Sequence, residues 1–144
     1  MGRRRASNQP IRLAAGAFIL NAGIGKLSAD EARAGGLHKM ATSSFPIFEK
    51  VPAEQFAKGL AVSEIALGAA LLTPLVPDRM AGLALTPFAG GLLWMYAHTD
   101  AMHEPNSLRP TQSGTALAKD VWLLGIGLTL LAAGRRRSKR DRRA

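Results

Sequence analysis

The sequence predicts an all-α, polytopic membrane protein in which four transmembrane helices form one bundle, with both termini in the cytoplasm. Three observations support this fold class. Apolar segments rich in Ala, Leu and Gly alternate with polar segments along the 144 residues. The clearest apolar segment, Met80 to His98, carries no formal charge at neutral pH and approaches the roughly 20 residues that an α-helix needs to cross a bilayer. Lys and Arg cluster at the chain ends, as is typical of cytoplasmic segments.

These observations divide the chain into one membrane domain between two basic tails. Residues 1–9 form a cytoplasmic tail, residues 10–134 hold the helices, and residues 135–144 form a second cytoplasmic tail. The predicted spans cover residues 11–27, 53–75, 80–98 and 115–134. A chain of this length has room for one such domain and for no second one.

The first span is the shortest and lies between two basic residues. Arg12 and Lys26 bracket it, and their long side chains can carry the charges out to the two membrane interfaces. Gly16 and Gly23 are seven residues apart and share a helix face, so a neighbouring backbone can approach closely there. The segment that follows, residues 28–51, is expected to lie on the extracytoplasmic membrane surface.

The second span contains a carboxylate inside an apolar helix. Ala57, Ala61, Glu64 and Gly68 follow one another at steps of four, three and four, which puts them on one face of small residues. A charge at the middle of a membrane helix costs roughly 2.5 to 3.5 kcal/mol on insertion scales. Glu64 is therefore expected to be paired or protonated and to face a packed neighbour.

The third and fourth spans complete the predicted bundle. A proline-containing break separates the second span from the third, where Gly90 and Gly91 provide small residues for helix packing. A polar loop then leads to the fourth span, which carries Lys119 and Asp120 one turn inside its outer end. Basic residues are more numerous in the segments that this topology places in the cytoplasm, in agreement with the positive-inside rule.

Antiparallel threading of the four spans places several polar side chains at one level in the outer part of the bilayer. This predicted polar layer consists of Asn21, Lys26, Glu64, His98, Lys119 and Asp120. Two interpretations of Glu64 remain open at this point. It either pairs with Lys26 or Lys119 and fixes which helices are neighbours, or it accepts a proton from a quinol hydroxyl at the outer rim.

The positive charge of the chain is interpreted as a lipid anchor. A net charge of +9 is also typical of nucleic-acid-binding proteins. Here, however, the charges flank the apolar segments, and this distribution favours membrane lipids as partners and argues against nucleic acid. The predicted anchor residues are Arg3, Arg4, Arg5, Arg135, Arg136 and Arg137.

Several classes of protein are disfavoured by the residue inventory. The chain has no cysteine, which excludes disulfides and thiolate metal sites. Its three histidines lack a metal-ligand spacing, so no metal site is predicted. The first apolar segment also resembles a secretory signal, but an uncleaved anchor is preferred because three later apolar segments also need insertion.

Three motifs, taken in order, resemble the DoxX family of small four-helix bacterial membrane proteins. They lie in residues 12–27, 63–85 and 116–134. The first opens with Arg-Leu and ends with glycine then lysine, the second has an early glutamate among small residues, and the third starts with Lys-Asp. The resemblance implies an inner-membrane subunit associated with quinone-linked redox enzymes or with oxidative-stress complexes of mycobacteria.

We therefore expect a multi-pass accessory subunit of the bacterial inner membrane that docks onto a larger, redox-linked complex and is not catalytic alone. One alternative is a quinone-site oxidoreductase subunit in which Glu64 is the proton acceptor and a quinone is the bound cofactor. Another is an accessory subunit of an actinobacterial respiratory or lipid-transport assembly, since the Ala, Gly and Arg content suits such a source. A transporter lacks support, because four short helices with one polar layer outline no path across the membrane.

Overall fold

The computed structural model describes the backbone of residues 2–141 and the side chains of residues 8–133. Within this part the chain is all-helical, with 79% of residues in helices and no β-strand. The helices are α1 (Gly2–Leu27), α2 (Glu31–Ser44), α3 (Ala53–Leu72), α4 (Asp78–Ala97), α5 (Thr115–Ala118) and α6 (Val121–Asp141). Two 3-10 turns, Pro46–Lys50 and Asp100–Met102, lie between them. The side chains of the predicted lipid anchor lie outside the described residues.

Three helical segments of the described chain are long and apolar enough to cross a membrane, and α1 is not one of them. They are Ala53–Leu72, Asp78–Ala97 and Thr115–Ala133. The apolar part of α1 is short and carries two basic residues and an asparagine, which lowers its hydropathy. The all-helical prediction is confirmed, and on this criterion three of the four predicted spans are found.

The helix boundaries differ from the predicted ones at three places. α1 begins before Pro10 and runs through it, although this proline has no N–H to donate to the helix. α3 ends at Leu72, before the first proline of the break. The predicted fourth span is divided at Lys119 and Asp120 into the short α5 and the longer α6.

Large apolar side chains remain exposed along the long helices. Phe18 is 65% exposed, Val62 59% and Trp122 69%. These residues lie on three different helices, and a monomer in water rarely leaves so much apolar surface uncovered. The exposed surface is therefore compatible with a membrane protein whose outer faces contact lipid.

α1 and α3 pack closely, and this packing depends on glycine. A β-carbon added at Gly23 would lie 2.8 Å from the carbonyl oxygen of Ala61, and one added at Gly68 would lie 2.7 Å from the backbone nitrogen of Leu20. Gly16 is equally tight, with the Leu71 β-carbon 3.0 Å from the corresponding position. These distances leave no room for a side chain, so the two backbones approach each other directly.

α4 and α6 form a second close pair. A β-carbon at Gly82 would lie 2.8 Å from the carbonyl oxygen of Gly127, and one at Gly127 would lie 2.6 Å from Oγ1 of Thr86. Leu85 and Leu130, both fully buried, lie in the core that joins the two pairs. The four long helices thus pack in two glycine-mediated pairs, and α2 lies across one end of them.

Candidate functional site

The end of the molecule where α3 passes into α4, here called the Arg12 end, is closed by a buried arginine. Arg12 is 3% exposed although it carries a full charge. Its guanidinium donates to Leu71 O at 2.9 Å, Val76 O at 2.9 Å, Ala70 O at 2.9 Å, Thr73 O at 2.8 Å and Asp78 Oδ1 at 2.7 Å. All five N–H donors are used, and most of them satisfy carbonyls that the end of α3 leaves without helical partners.

The sequence-based expectation that Arg12 extends to the membrane interface is therefore wrong. The guanidinium turns inward because the last carbonyls of α3 carry the negative end of the helix dipole. Asn8 supports the arrangement by donating to the second carboxylate oxygen of Asp78 at 2.9 Å. This end of the molecule is a structural clip between α1 and the α3–α4 turn.

At the opposite end, here called the α2 end, Lys26 and Glu64 form a buried ion pair. Lys26 Nζ lies 2.8 Å from Glu64 Oε2 and 3.0 Å from Oε1, and 3.4 Å from the carbonyl oxygen of Ala22. The side chains are only 15% and 6% exposed. Charges removed from water are costly unless they are paired, so the two residues depend on each other for burial. Of the two predicted partners of Glu64, the structure selects Lys26.

Asp120 is the third charged group at this place. It precedes α6 and lines the same cavity as Lys26 and Glu64. Its carboxylate makes no hydrogen bond or ion pair with any residue whose side chain is described. Two carboxylates and one ammonium group, here called the charged triad, thus line one cavity.

The other three residues of the predicted polar layer lie elsewhere. Asn21 precedes Lys26 by five residues, which is a rotation of about 140° around the axis of α1. Its side chain therefore lies on a different face of the helix from Lys26 and is exposed. His98 is also exposed and stacks on Trp94, with ring centroids 4.0 Å apart. Lys119 is exposed in the turn between α5 and α6. Of the six residues of the predicted layer, the structure thus brings three, the charged triad, to one cavity.

The residues predicted to mediate helix packing also fall into two groups. Ala57, Ala61 and Gly68 lie on the buried face of α3 with Glu64, and Gly16 and Gly23 face them from α1. By contrast, a β-carbon added at Gly90 or Gly91 would have no neighbour within 4 Å. The first group holds this chain together, whereas the two glycines of α4 leave open space.

The charged triad lines a large apolar cavity. The cavity has a volume of about 690 Å³ and receives side chains from all six α-helices. Its walls are mostly aliphatic and aromatic, with Phe18, Phe45, Phe48, Phe56 and Phe88 among them. A volume of roughly 300 to 1,000 Å³ with apolar walls and a few polar groups is typical of a small-molecule site. The cavity therefore has the form of a binding site for an apolar molecule with a polar head.

An aromatic cluster at the α2 end shapes one wall of this cavity. Phe48 and Phe56 pack with ring centroids 5.2 Å apart, and His38 lies edge-on to Phe56 at 5.6 Å. His38 Nε2 is 2.9 Å from the carbonyl oxygen of Phe48, which ties α2 to the 3-10 turn. The segment predicted to lie on the membrane surface thus packs against α3 and contributes to the wall of the cavity.

A second, more polar cavity opens beside the first. This vestibule has a volume of about 540 Å³ and lies between the end of α1 and the starts of α2 and α3. Ala34 and Ala57 line its interior, and Asp30, Glu31, Glu54 and Lys58 also contribute to its wall. Lys26 lines both the vestibule and the apolar cavity.

Comparison with family models, with curated proteins and with solved structures gave no match. The DoxX resemblance thus stays a prediction from the three sequence motifs.

Sequence reasoning missed the cavity and the role of Arg12. The cavity walls come from segments far apart in sequence, and single aromatic residues in the α2 region gave no signal of a shared pocket. The carbonyls at the end of α3 have no helical partners, and the prolines that follow have no N–H to donate to them. A buried side-chain donor such as Arg12 could therefore have been predicted there.

Proposed function

We propose that this chain is a small subunit of the bacterial inner membrane that binds a quinone-type molecule in its apolar cavity and serves a larger redox-linked complex. The observation that carries the proposal is the cavity of about 690 Å³ whose mostly apolar wall includes the charged triad. A quinone has an apolar body and two polar oxygens, and this division matches the mostly apolar wall with its few charged groups. The proposal includes a four-helix transmembrane bundle with both termini in the cytoplasm.

The charged triad supplies the two kinds of polar contact that a quinone and its quinol require. Lys26 Nζ would donate a hydrogen bond to a carbonyl oxygen, and the carboxylates of Glu64 and Asp120 would accept hydrogen bonds or protons from quinol hydroxyls. Oxidation of a quinol to a quinone releases two protons and two electrons, and the proposal assigns the electrons to a redox centre of a partner subunit. This chain would bind, orient and deprotonate, and would not be catalytic alone.

The cavity can be tested with two adjacent glycines of α4. Gly91 lines the cavity, whereas Gly90 does not, and neither position has a neighbour within 4 Å of an added β-carbon. Gly91→Leu should fill the cavity and weaken the binding of a short-chain menaquinone analogue by at least about tenfold, whereas Gly90→Leu should leave the dissociation constant unchanged. Both are measured by equilibrium binding to the full chain in lipid nanodiscs. Equal affinities of the two variants would contradict the proposal.

The charged part of the site is tested by a second matched pair. Glu64→Gln removes a charge-assisted contact to a quinol hydroxyl, worth roughly 1.5 to 3 kcal/mol, and should weaken binding of the reduced menaquinol analogue about 10- to 100-fold. Glu54→Gln makes the same chemical change at the exposed Glu54–Lys58 pair, whose charged atoms are 2.7 Å apart, and should have no effect. Unchanged affinity in correctly folded Glu64→Gln protein would show that Glu64 does not contact the ligand.

A second candidate function is a purely structural docking subunit, which needs no ligand. It is favoured by the open space beside Gly90 and Gly125, where a helix of another protein could approach. For this function Gly90→Leu should abolish co-purification of the larger complex in mild detergent, whereas Gly91→Leu should not. The two glycine variants therefore discriminate between the candidates in one experiment.

A further inference from the structure

The vestibule is placed to connect the charged triad with water. It opens at the α2 end, and Lys26, which lines it, also bonds both carboxylate oxygens of Glu64 in the apolar cavity. Ala57 lines the vestibule and shares a face of α3 with Glu64, about 10 Å further along the helix axis. The ammonium group of Lys26 therefore lies at the junction of the two cavities.

The apolar cavity is a poor route for protons. Its aromatic and aliphatic walls offer few partners for water, and a water molecule needs two to four polar contacts to be stable in a buried space. The wall of the vestibule, by contrast, includes the charged side chains of Asp30, Glu31, Glu54 and Lys58. These polar groups can supply the contacts that water needs.

We propose that the vestibule is the water-filled route by which protons pass between the aqueous phase and the Lys26–Glu64 pair. The proposal rests on the proposed function for the reaction that it serves, namely the deprotonation of a bound quinol. A proton taken up by Glu64 leaves past the Lys26 ammonium group into the vestibule, while the quinone enters and leaves the apolar cavity from the bilayer. The ligand and its protons thus use separate openings.

Because the chain lacks cysteine, a single introduced cysteine can show whether water reaches a chosen position. Ala57 and Ala61 are matched, since both are buried on the same face of α3, one turn apart, and only Ala57 lines the vestibule. In sealed proteoliposomes, a small charged methanethiosulfonate that cannot cross the membrane should modify Ala57→Cys completely and leave Ala61→Cys unmodified. The extent of modification is read by mass spectrometry of the intact protein.

Ala34→Cys, on the opposite wall of the vestibule, provides a second variant and should also be modified. Ser107→Cys, in the exposed loop after α4, serves as the positive control. If Ser107→Cys reacts while Ala34→Cys and Ala57→Cys do not, the proposal is overturned. Equal modification of Ala57→Cys and Ala61→Cys would also overturn it, because water would then reach the whole helix face.

The modified Ala57→Cys protein separates the proton route from the ligand site. Its affinity for the menaquinone analogue should stay unchanged, and a loss of affinity would overturn the proposal because the vestibule would then belong to the ligand's own path. Absence of quinone binding in every variant would count against the proposed function alone. The modification pattern decides whether water reaches the Lys26–Glu64 pair in either case.

Discussion

At the residue scale, Arg12 makes the most consequential contacts in the described chain. Its guanidinium bridges α1, the end of α3 and Asp78 with five hydrogen bonds. Lysine carries the same charge but has three donors and no planar fork, so it cannot reproduce this arrangement. The position requires a side chain with enough donors for all of these carbonyls, and a positive charge alone is not sufficient.

Arg12→Lys should therefore destabilise the protein. Each buried carbonyl left without a donor costs roughly 1 to 3 kcal/mol, and we expect a clear drop in the thermal midpoint of unfolding in detergent, followed by circular dichroism. Arg79→Lys, at an exposed position beside Asp78, is the control and should stay within about 0.5 kcal/mol of the parent protein. Equal midpoints for the two variants would show that the Arg12 contacts contribute little.

The residue scale also shows where sequence reasoning stops. The cost of an isolated charge predicted that Glu64 needs a partner, and the opposite directions of neighbouring helices limited the candidates. The choice of Lys26 over Lys119 depends on the rotation of each helix about its axis, which packing determines. The same rotation removes Asn21 from the site, although its depth in the predicted span is suitable.

At the element scale, the interface of α1 and α3 depends on the absence of side chains. Gly68→Ala would place a β-carbon 2.7 Å from the Leu20 backbone nitrogen, which cannot yield as a flexible side chain could. We expect a loss of roughly 1 to 3 kcal/mol in unfolding free energy, the usual cost of overpacking. Chemical denaturation in mixed micelles is the measurement.

Gly59→Ala is the matched control on the same helix. Its added β-carbon has no neighbour within 4 Å, so only the helix propensity changes, and this should stabilise the protein by about 0.5 to 1 kcal/mol. The two alanine substitutions should therefore act in opposite directions. Stabilisation by both would mean that α1 and α3 are not in close contact.

The helices themselves were largely predictable, because apolar runs and prolines mark them in the sequence. The second and third predicted spans agree with α3 and α4 to within a few residues at each end. The extension of α1 through Pro10 and the interruption between α5 and α6 were not predictable from composition. The part of α1 before Pro10 is held in place by a tertiary contact, the hydrogen bond from Asn8 to Asp78.

At the scale of the whole molecule, the charge distribution predicts one orientation in the membrane. The α3–α4 turn lies at the Arg12 end with the start of α1, so both should face the cytoplasm. Leu75→Cys, in this turn, should resist a membrane-impermeant thiol reagent in intact cells and react after lysis, whereas Ser107→Cys should react in intact cells. The reverse pattern would invert the proposed topology.

The Arg12 clip also has a consequence for biosynthesis. The acceptor Asp78 follows Arg12 by 66 residues, so the ribosome completes α1 long before its partner exists. An unpartnered arginine adds to the low hydropathy of this short segment and disfavours its lateral release into lipid. In a chain that crosses the bilayer, α1 should therefore wait at the insertion machinery until the α3–α4 hairpin arrives. Nascent chains truncated before Asp78 should accordingly be extracted and degraded.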